Sequence, residues 1–244
     1  MDWKCICFDL DNTLCDYEQA FEDGMIACFN EFAEKEWQCE KLPSPSEWFP
    51  VYKSLCDGYW HKVEDETFSK KEYQRRRLID SLKKFDVHIS IESADRFQAH
   101  FYELVVHYVT LYPGVDLLLS ELRENEIKLG IISNGKKETQ REKISRLGLQ
   151  RWFSESDIFI SDEVAAAKPE PSIFQYAERE LKAQQDRKLY VGDSWDLDVL
   201  GALNAGWEAL YVNTRKEMKP SSSLPLAVCE TIKEAMNVIL HRKW

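Results

Sequence analysis

Four aspartates and one lysine mark where this chain could do chemistry. Asp9 and Asp11 stand in "DLDNTL", Asp193 and Asp198 in "GDSWDLD", and Lys168 in "AAAKPEP"; Ser133 and Asn134 stand in "IISNG". In a D-x-D pattern, residues two apart along an extended chain return to the same face, so Asp9 and Asp11 can share a ligand while Leu10 points away. Several carboxylates converging on one edge repel one another unless a cation is present, and an all-oxygen site containing water suits magnesium. One carboxylate of the pair could then attack an electrophilic phosphorus while the other handles a proton. Magnesium held by Asp9 and Asp193 would neutralise charge that opposes the approach of an anionic nucleophile to a phosphate. Lys168 adds a second positive charge, and Ser133 and Asn134 could grip nonbridging oxygens. These pieces are chemically complete for phosphoryl transfer.

Every one of these groups follows an apolar, β-favouring run or lies in the connection after one. Trp3 to Phe8 reads as a buried strand that stops at the first aspartates, and the pattern recurs at "IKLGIISNG", "SDIFISD", "RKLYVGDS" and "EALYVNT". Five short strands separated by helix-length segments predict an α/β fold, a Rossmann-like doubly wound parallel sheet, in which ligands bind outside the carboxyl ends of the strands. Helices are expected over 115–125, after Pro171, and over 197–205 with Gly206 as the C-cap; a final helix is expected over about 230–240. The Pro/Ser-rich "KPSSSLP" reads as a loop. About 100 residues between the first strand and "LYPGV" are too many for a crossover and differ in texture, being aromatic-rich, charged and helical in period over 17–33, 70–84 and 91–109. The expected organisation is therefore a discontinuous core of 1–14 and 96–244, interrupted by a mainly helical cap over 15–95.

The set "DLDNTL", "IISNG", "KPEP" and "GDSWDLD" resembles the haloacid dehalogenase-like hydrolase superfamily, specifically its phosphatases with a helical cap inserted after the first motif. The resemblance covers nearly all of the core, with the motifs in the expected order and spacing. It implies that Asp9 is a nucleophile forming an aspartyl-phosphate and that Asp11 is the acid for the leaving alcohol, then the base for water. It further implies phosphate binding by Ser133, Asn134 and Lys168, and a magnesium site made by Asp9, Asp193 and the main-chain carbonyl of Asp11. Thr13 and Asp198 would play supporting parts. Retention of Asp11 fits a phosphatase, since a halide leaves without a proton whereas an alkoxide needs one. Tyr17, Glu18, Phe21, Arg77 and Trp195 are the candidate substrate contacts on the cap or rim.

Composition narrows the partners. Thirty-two Lys and Arg against 43 Asp and Glu give a net charge of -11, which argues against wrapping a nucleic acid polymer or lying on an anionic membrane. Seven cysteines without a C-x-x-C pair, no signal-peptide pattern and no stretch approaching 18 consecutive apolar residues point to a reducing, cytoplasmic setting. The five histidines form no compact metal-ligand pattern, and no oligomeric partner is indicated. The expected activity is magnesium-dependent hydrolysis of a small phosphorylated metabolite, with a nucleotidase-like leaning. A sugar phosphomutase using the same aspartate pair and a noncatalytic phosphometabolite-binding protein are the alternatives.

Overall fold

The computed structural model describes residues 3–215 and 225–241. Six strands, β1 (Cys5–Phe8), β2 (Lys128–Ser133), β3 (Ile158–Ile160), β4 (Lys188–Gly192), β5 (Glu208–Val212) and β6 (Ala227–Cys229), form one sheet in the order β3-β2-β1-β4-β5-β6. Every pairing is parallel, and β1 lies at the centre with Cys5 in register with Lys128 on one side and Lys188 on the other. From β1 the chain builds outward to β2 and β3, then crosses back to β4 and builds the other way. The reversal of strand order falls between β1 and β4, the place where an open parallel sheet presents a crevice to ligands.

Both faces of the sheet are covered, which explains why its strands read as unbroken apolar runs. Ile6, Phe8, Leu129, Ile131, Leu189, Val191, Leu210 and Val212 pack into one core layer. Their alternates Cys5, Cys7, Ile132, Tyr190, Ala209 and Tyr211 pack into the other. Cys5 and Cys7 are fully buried free thiols, as expected of small core residues. Gly130 in β2 pairs with Cys7, and a Cβ there would lie 2.7 Å from Cys7 Sγ and 3.0 Å from Leu181 Cδ1. The absent side chain lets β1 and the covering helix close on the same spot.

The chain divides into two compact units, residues 18–108 and the sheet-bearing remainder, 1–17 with 109–244. The helical unit contains α1 (Tyr17–Lys35, from its second residue onward), α2 (Pro45–Glu64), α3 (Lys70–Lys83) and α4 (Ile91–Val105). The bounds expected from sequence, 15–95, differ from this division chiefly in α4, which belongs to the helical unit. Its aromatic texture is its core: Phe29 stacks on Trp48 at 4.5 Å, Trp48 meets Tyr52 at 4.8 Å and Trp37 stacks on Phe97 at 5.4 Å. The two buried indole N–H groups donate to Ser81 and Ser93, so neither is left unsatisfied. Ser69 and Ser90 cap α3 and α4 by accepting from the main-chain N–H three residues on, each worth about 1 kcal/mol.

The remaining helices flank the sheet: α5 (Val115–Glu124), α6 (Lys137–Arg146), α7 (Ser161–Val164), α8 (Pro171–Glu180), α9 (Gly201–Asn204) and α10 (Ile232–His241), with one wide π-helical turn at Trp195–Leu200 before α9. Gly206, at φ 81°, ends α9 in the left-handed conformation anticipated for it. Besides the single turn of α7, three elements went unread in the sequence. β6 is only three residues long, α2 hides among prolines 43, 45 and 50, and α6 is so polar that no apolar period announces it. The "KPSSSLP" loop, apart from its last residue, lies outside the described residues. Among the described residues, no helix is long and apolar enough to cross a membrane.

A test of the close approach at β2 is Gly130→Val. Valine favours strands, yet overpacking against Cys7 and Leu181 is expected to lower stability by roughly 1–3 kcal/mol, read from the urea unfolding midpoint.

Candidate active site

The carboxyl ends of β1 and β4 bring the aspartates together. Asp9 follows β1 directly, its main-chain N–H donating to Val191 O at 2.9 Å, so the strand ladder itself fixes where its side chain starts. Asp193 follows β4, and Asp198 comes back on the π-helical turn. One oxygen each from Asp9, Asp193 and Asp198 lie within 4.8 Å of one another, and all three residues are buried. Gly192 makes room for this: a Cβ there would stand 2.4 Å from Asp198 Oδ2.

Lys168 occupies the middle of the cluster. Its Nζ donates to Asp9 Oδ1 at 2.6 Å, to Asp198 Oδ1 at 2.6 Å and to Tyr190 Oη at 3.0 Å, which uses all three ammonium protons. Tyr190 passes its own proton to Ile132 O at 2.8 Å. The second oxygen of Asp198 accepts from the Ser194 N–H at 2.8 Å, so this carboxylate is fully engaged in holding Lys168 and the turn. Asn134 holds the loop that carries the lysine, donating to Lys168 O at 2.8 Å and accepting from Lys168 N at 2.9 Å.

The charges do not balance. Against the carboxylates of Asp9, Asp193 and Asp198 stand Lys168 and Arg215, the latter 3.0 Å from Asp193 Oδ2. Burial raises Asp9 to about 7, with Asp198 and Asp11 adding to the shift and Lys168 opposing it. Burial, with Asp198 and Asp9 alongside, also pushes Asp193 well above the usual carboxylate range. Burial disfavours the charged form of Lys168 too, but Asp198 and Asp9 outweigh it and hold the ammonium above its ordinary range. Two proton-hungry oxygen ligands in one buried cluster, within 4.8 Å of each other, are what a small hard cation with oxygen ligands satisfies. Asp9 and Asp193 therefore fit a magnesium site, while Asp198 is committed to Lys168.

Asp11 lies apart from this trio. Its carboxylate accepts from Lys143 Nζ at 2.9 and 2.8 Å and from Gln140 Nε2 at 3.2 Å, and Gln140 also reaches Ser133 Oγ at 2.6 Å. Cys15 Sγ lies 3.7 Å from the same carboxylate. Burial disfavours the Lys143 ammonium, yet Asp11 beside it, then Tyr17 and Cys15, raise it above its usual range. Thr13 is fully buried, its hydroxyl lacking a hydrogen-bond partner among the described residues.

The candidate rim residues have plainer surroundings. Tyr17 is half-buried on the core layer with Lys143 Nζ 3.8 Å from its ring centroid. Trp195 rests edge-on against Tyr211 at 5.6 Å. In the helical unit, exposed Glu18 lies 3.7 Å from Lys53, and Phe21 packs against Phe49, Tyr52 and Phe101. Arg77 is buried among the rings of Phe21, Tyr52 and Tyr73 and donates to Gln98 Oε1 at 2.9 Å. Lys143, Gln140, Tyr190 and Arg215 were not singled out from the sequence. None of them carried a readable signal: α6 has Ile144 as its one apolar residue, so no apolar stripe marks the side on which Gln140 and Lys143 are buried.

A parallel sheet with carboxylates and a lysine gathered at its reversal of strand order defines an α/β protein with a charged site at its strand ends. The model of the haloacid dehalogenase-like hydrolases matches residues 3–206, and the chain belongs to that family, on its phosphatase branch. It is 27% identical over 235 residues to pyrimidine 5'-nucleotidase YjjG of Escherichia coli (strain K12), covering 96% of each chain. It is 29% identical over 236 residues to the N-acylneuraminate-9-phosphatase of Homo sapiens, covering 91% of this chain and 87% of that one. The magnesium-bound crystal structure of the putative HAD-hydrolase YfnB from Bacillus subtilis shares the fold, with a TM-score of 0.84 at 22% identity over 99% of this chain and 100% of the other.

Removing the central cation tests the electrostatic account. Lys168→Met leaves Asp9 and Asp198 buried without their shared partner and is expected to cost roughly 3–5 kcal/mol in urea unfolding with a chelator present. A loss under 1 kcal/mol would mean the ammonium is not what holds the cluster together.

Proposed function

We propose that this protein is a magnesium-dependent phosphomonoester hydrolase that works through an aspartyl-phosphate on Asp9. The observation that supports it best is the placing of Asp9 and Asp11 at the end of the central strand, each paired to its own buried lysine. When bound by Asp9, Asp193 and the main-chain carbonyl of Asp11, magnesium would supply positive charge that screens the nucleophile from the phosphate dianion.

The chain's own groups do the rest. Asp9 attacks phosphorus and the bond to the leaving oxygen breaks, while Asp11 gives that oxygen its proton. Asp11, now a carboxylate, takes a proton from water as the water attacks the aspartyl-phosphate; the bond between phosphorus and Asp9 breaks and inorganic phosphate departs. Lys168 steadies Asp9 and the phosphoryl oxygens, Ser133 Oγ grips a nonbridging oxygen, Asn134 fixes the loop of Lys168 and Asp198 holds its ammonium in place. Thr13 plays a supporting part in the segment that follows the two aspartates. The helical unit, 18–108, serves as the cap expected over 15–95; Glu18, Phe21 and Arg77 from it, with Tyr17 and Trp195 from the core, are the residues to probe for leaving-group selection.

A small organic phosphate is the substrate class, and a nucleoside 5'-monophosphate is the first to try, given the nucleotidase relative that matches over nearly the whole chain. The seven free thiols fit a reducing, cytoplasmic home.

A screen of phosphomonoesters with and without magnesium tests the reading. Phosphate release is expected only with the metal, and Asp9→Asn is expected to lower it by at least about 10³-fold. Full activity in that variant would remove Asp9 as nucleophile, and turnover of a sugar phosphate without release of inorganic phosphate would favour a mutase. Magnesium at about 100 times its Kd should stabilise the wild type by about 2.7 kcal/mol but leave Asp193→Asn nearly unchanged, read by thermal unfolding.

A further inference from the structure

Lys143 has no assigned part in the chemistry above, yet it is among the most deeply buried charges in the described residues. Its side chain is 2% exposed, and its Nζ meets both oxygens of Asp11, at 2.9 and 2.8 Å, with the ring of Tyr17 closing over it. Burying a lysine against a half-buried carboxylate gains little over an apolar residue of equal volume, so packing alone does not account for one here. Gln140, one turn earlier on α6, joins Asp11 Oδ2 to Ser133 Oγ. A single helix thus grips both oxygens of Asp11 and ties them to the end of β2.

We propose that Lys143 and Gln140 are the positioning pair for proton transfer by Asp11, holding its carboxyl in one orientation and stabilising the negative charge it acquires. The inference rests on the hydrolytic reading above. As the bond between phosphorus and the leaving oxygen breaks, the electron pair passes to that oxygen, which takes the proton of Asp11. The carboxylate left behind forms beside an ammonium already in place, so the charge appears where the site needs no reorganisation to receive it. Neither residue touches the substrate; both act through Asp11.

The test exploits leaving groups that differ in their need for a proton. Phenyl phosphate and p-nitrophenyl phosphate are nearly the same shape, but phenolate is the more basic and depends more on protonation. The measured quantity is kcat/KM, which covers the steps up to departure of the leaving group. Lys143→Met is expected to lower it for phenyl phosphate by roughly tenfold or more beyond the loss for p-nitrophenyl phosphate. Lys143→Arg should recover most of that difference. Gln140→Met, which changes no charge, should shift the two esters in the same direction by less, and it carries the comparison if Lys143→Met does not fold. Equal losses on the two esters in whichever variant is folded would overturn the positioning role while leaving the hydrolytic reading intact. Full activity of Asp9→Asn on both esters would instead overturn the reading on which it rests.

Discussion

A single ammonium in a dry place organises the core of this protein. Lys168 donates hydrogen bonds to Asp9, Asp198 and Tyr190, which come from the end of β1, the π-helical turn and the middle of β4. Carboxylates this close in a low-dielectric setting would repel one another strongly without it. The lysine in turn needs partners on every side, since an unpaired buried charge is costly. The dependence explains several details elsewhere: a glycine at 192 where any Cβ would strike Asp198, an asparagine at 134 locking the lysine's main chain, and a tyrosine in the middle of β4 whose hydroxyl reaches across to Ile132.

The site has a second pole built on the same principle. Asp11 is only two residues from Asp9, but its carboxylate is turned to Lys143 and Gln140 on α6. Two aspartates of one short motif therefore sit in separate electrostatic settings. Asp9 shares its lysine with another carboxylate and retains a high proton affinity, whereas Asp11 has a lysine that pairs with no other carboxylate in the structure described. Chemically identical groups in one motif are thereby held in different environments.

Much of this was legible in the sequence because it is local. A β-favouring run that ends abruptly in Asp, Ser or Gly announces both a parallel strand and the polar groups at its end, and five of the six strands with Asp9, Asp11, Ser133 and Asp193 were found that way. Lys168 was reached through its motif in the loop after β3. The rest depends on distant residues meeting. Nothing in "KETQREKISR" tells that its lysine and glutamine turn inward, because an ion pair 132 residues apart leaves no periodic trace. Tyr190 reads as an ordinary strand aromatic until its hydroxyl is seen under Lys168. The aromatic excess of 17–109 signalled a separate core, but the prolines within α2 obscured how many helices share it.

The place of β1 in the sheet has a consequence for how the protein is made. The strand is synthesised before its partners, which lie about 120 and 180 residues later. The intervening helical unit has its own aromatic core and can form while Ile6 and Phe8 still have nothing to cover them. A nascent chain therefore carries β1 unpaired until β2 and then β4 have followed, and formation of the sheet waits on contacts of long sequence separation, which form slowly. Since Asp9 and Asp11 follow β1 while Asp193 and Asp198 follow β4, the active site is completed only after β4 and the π-helical turn have been synthesised.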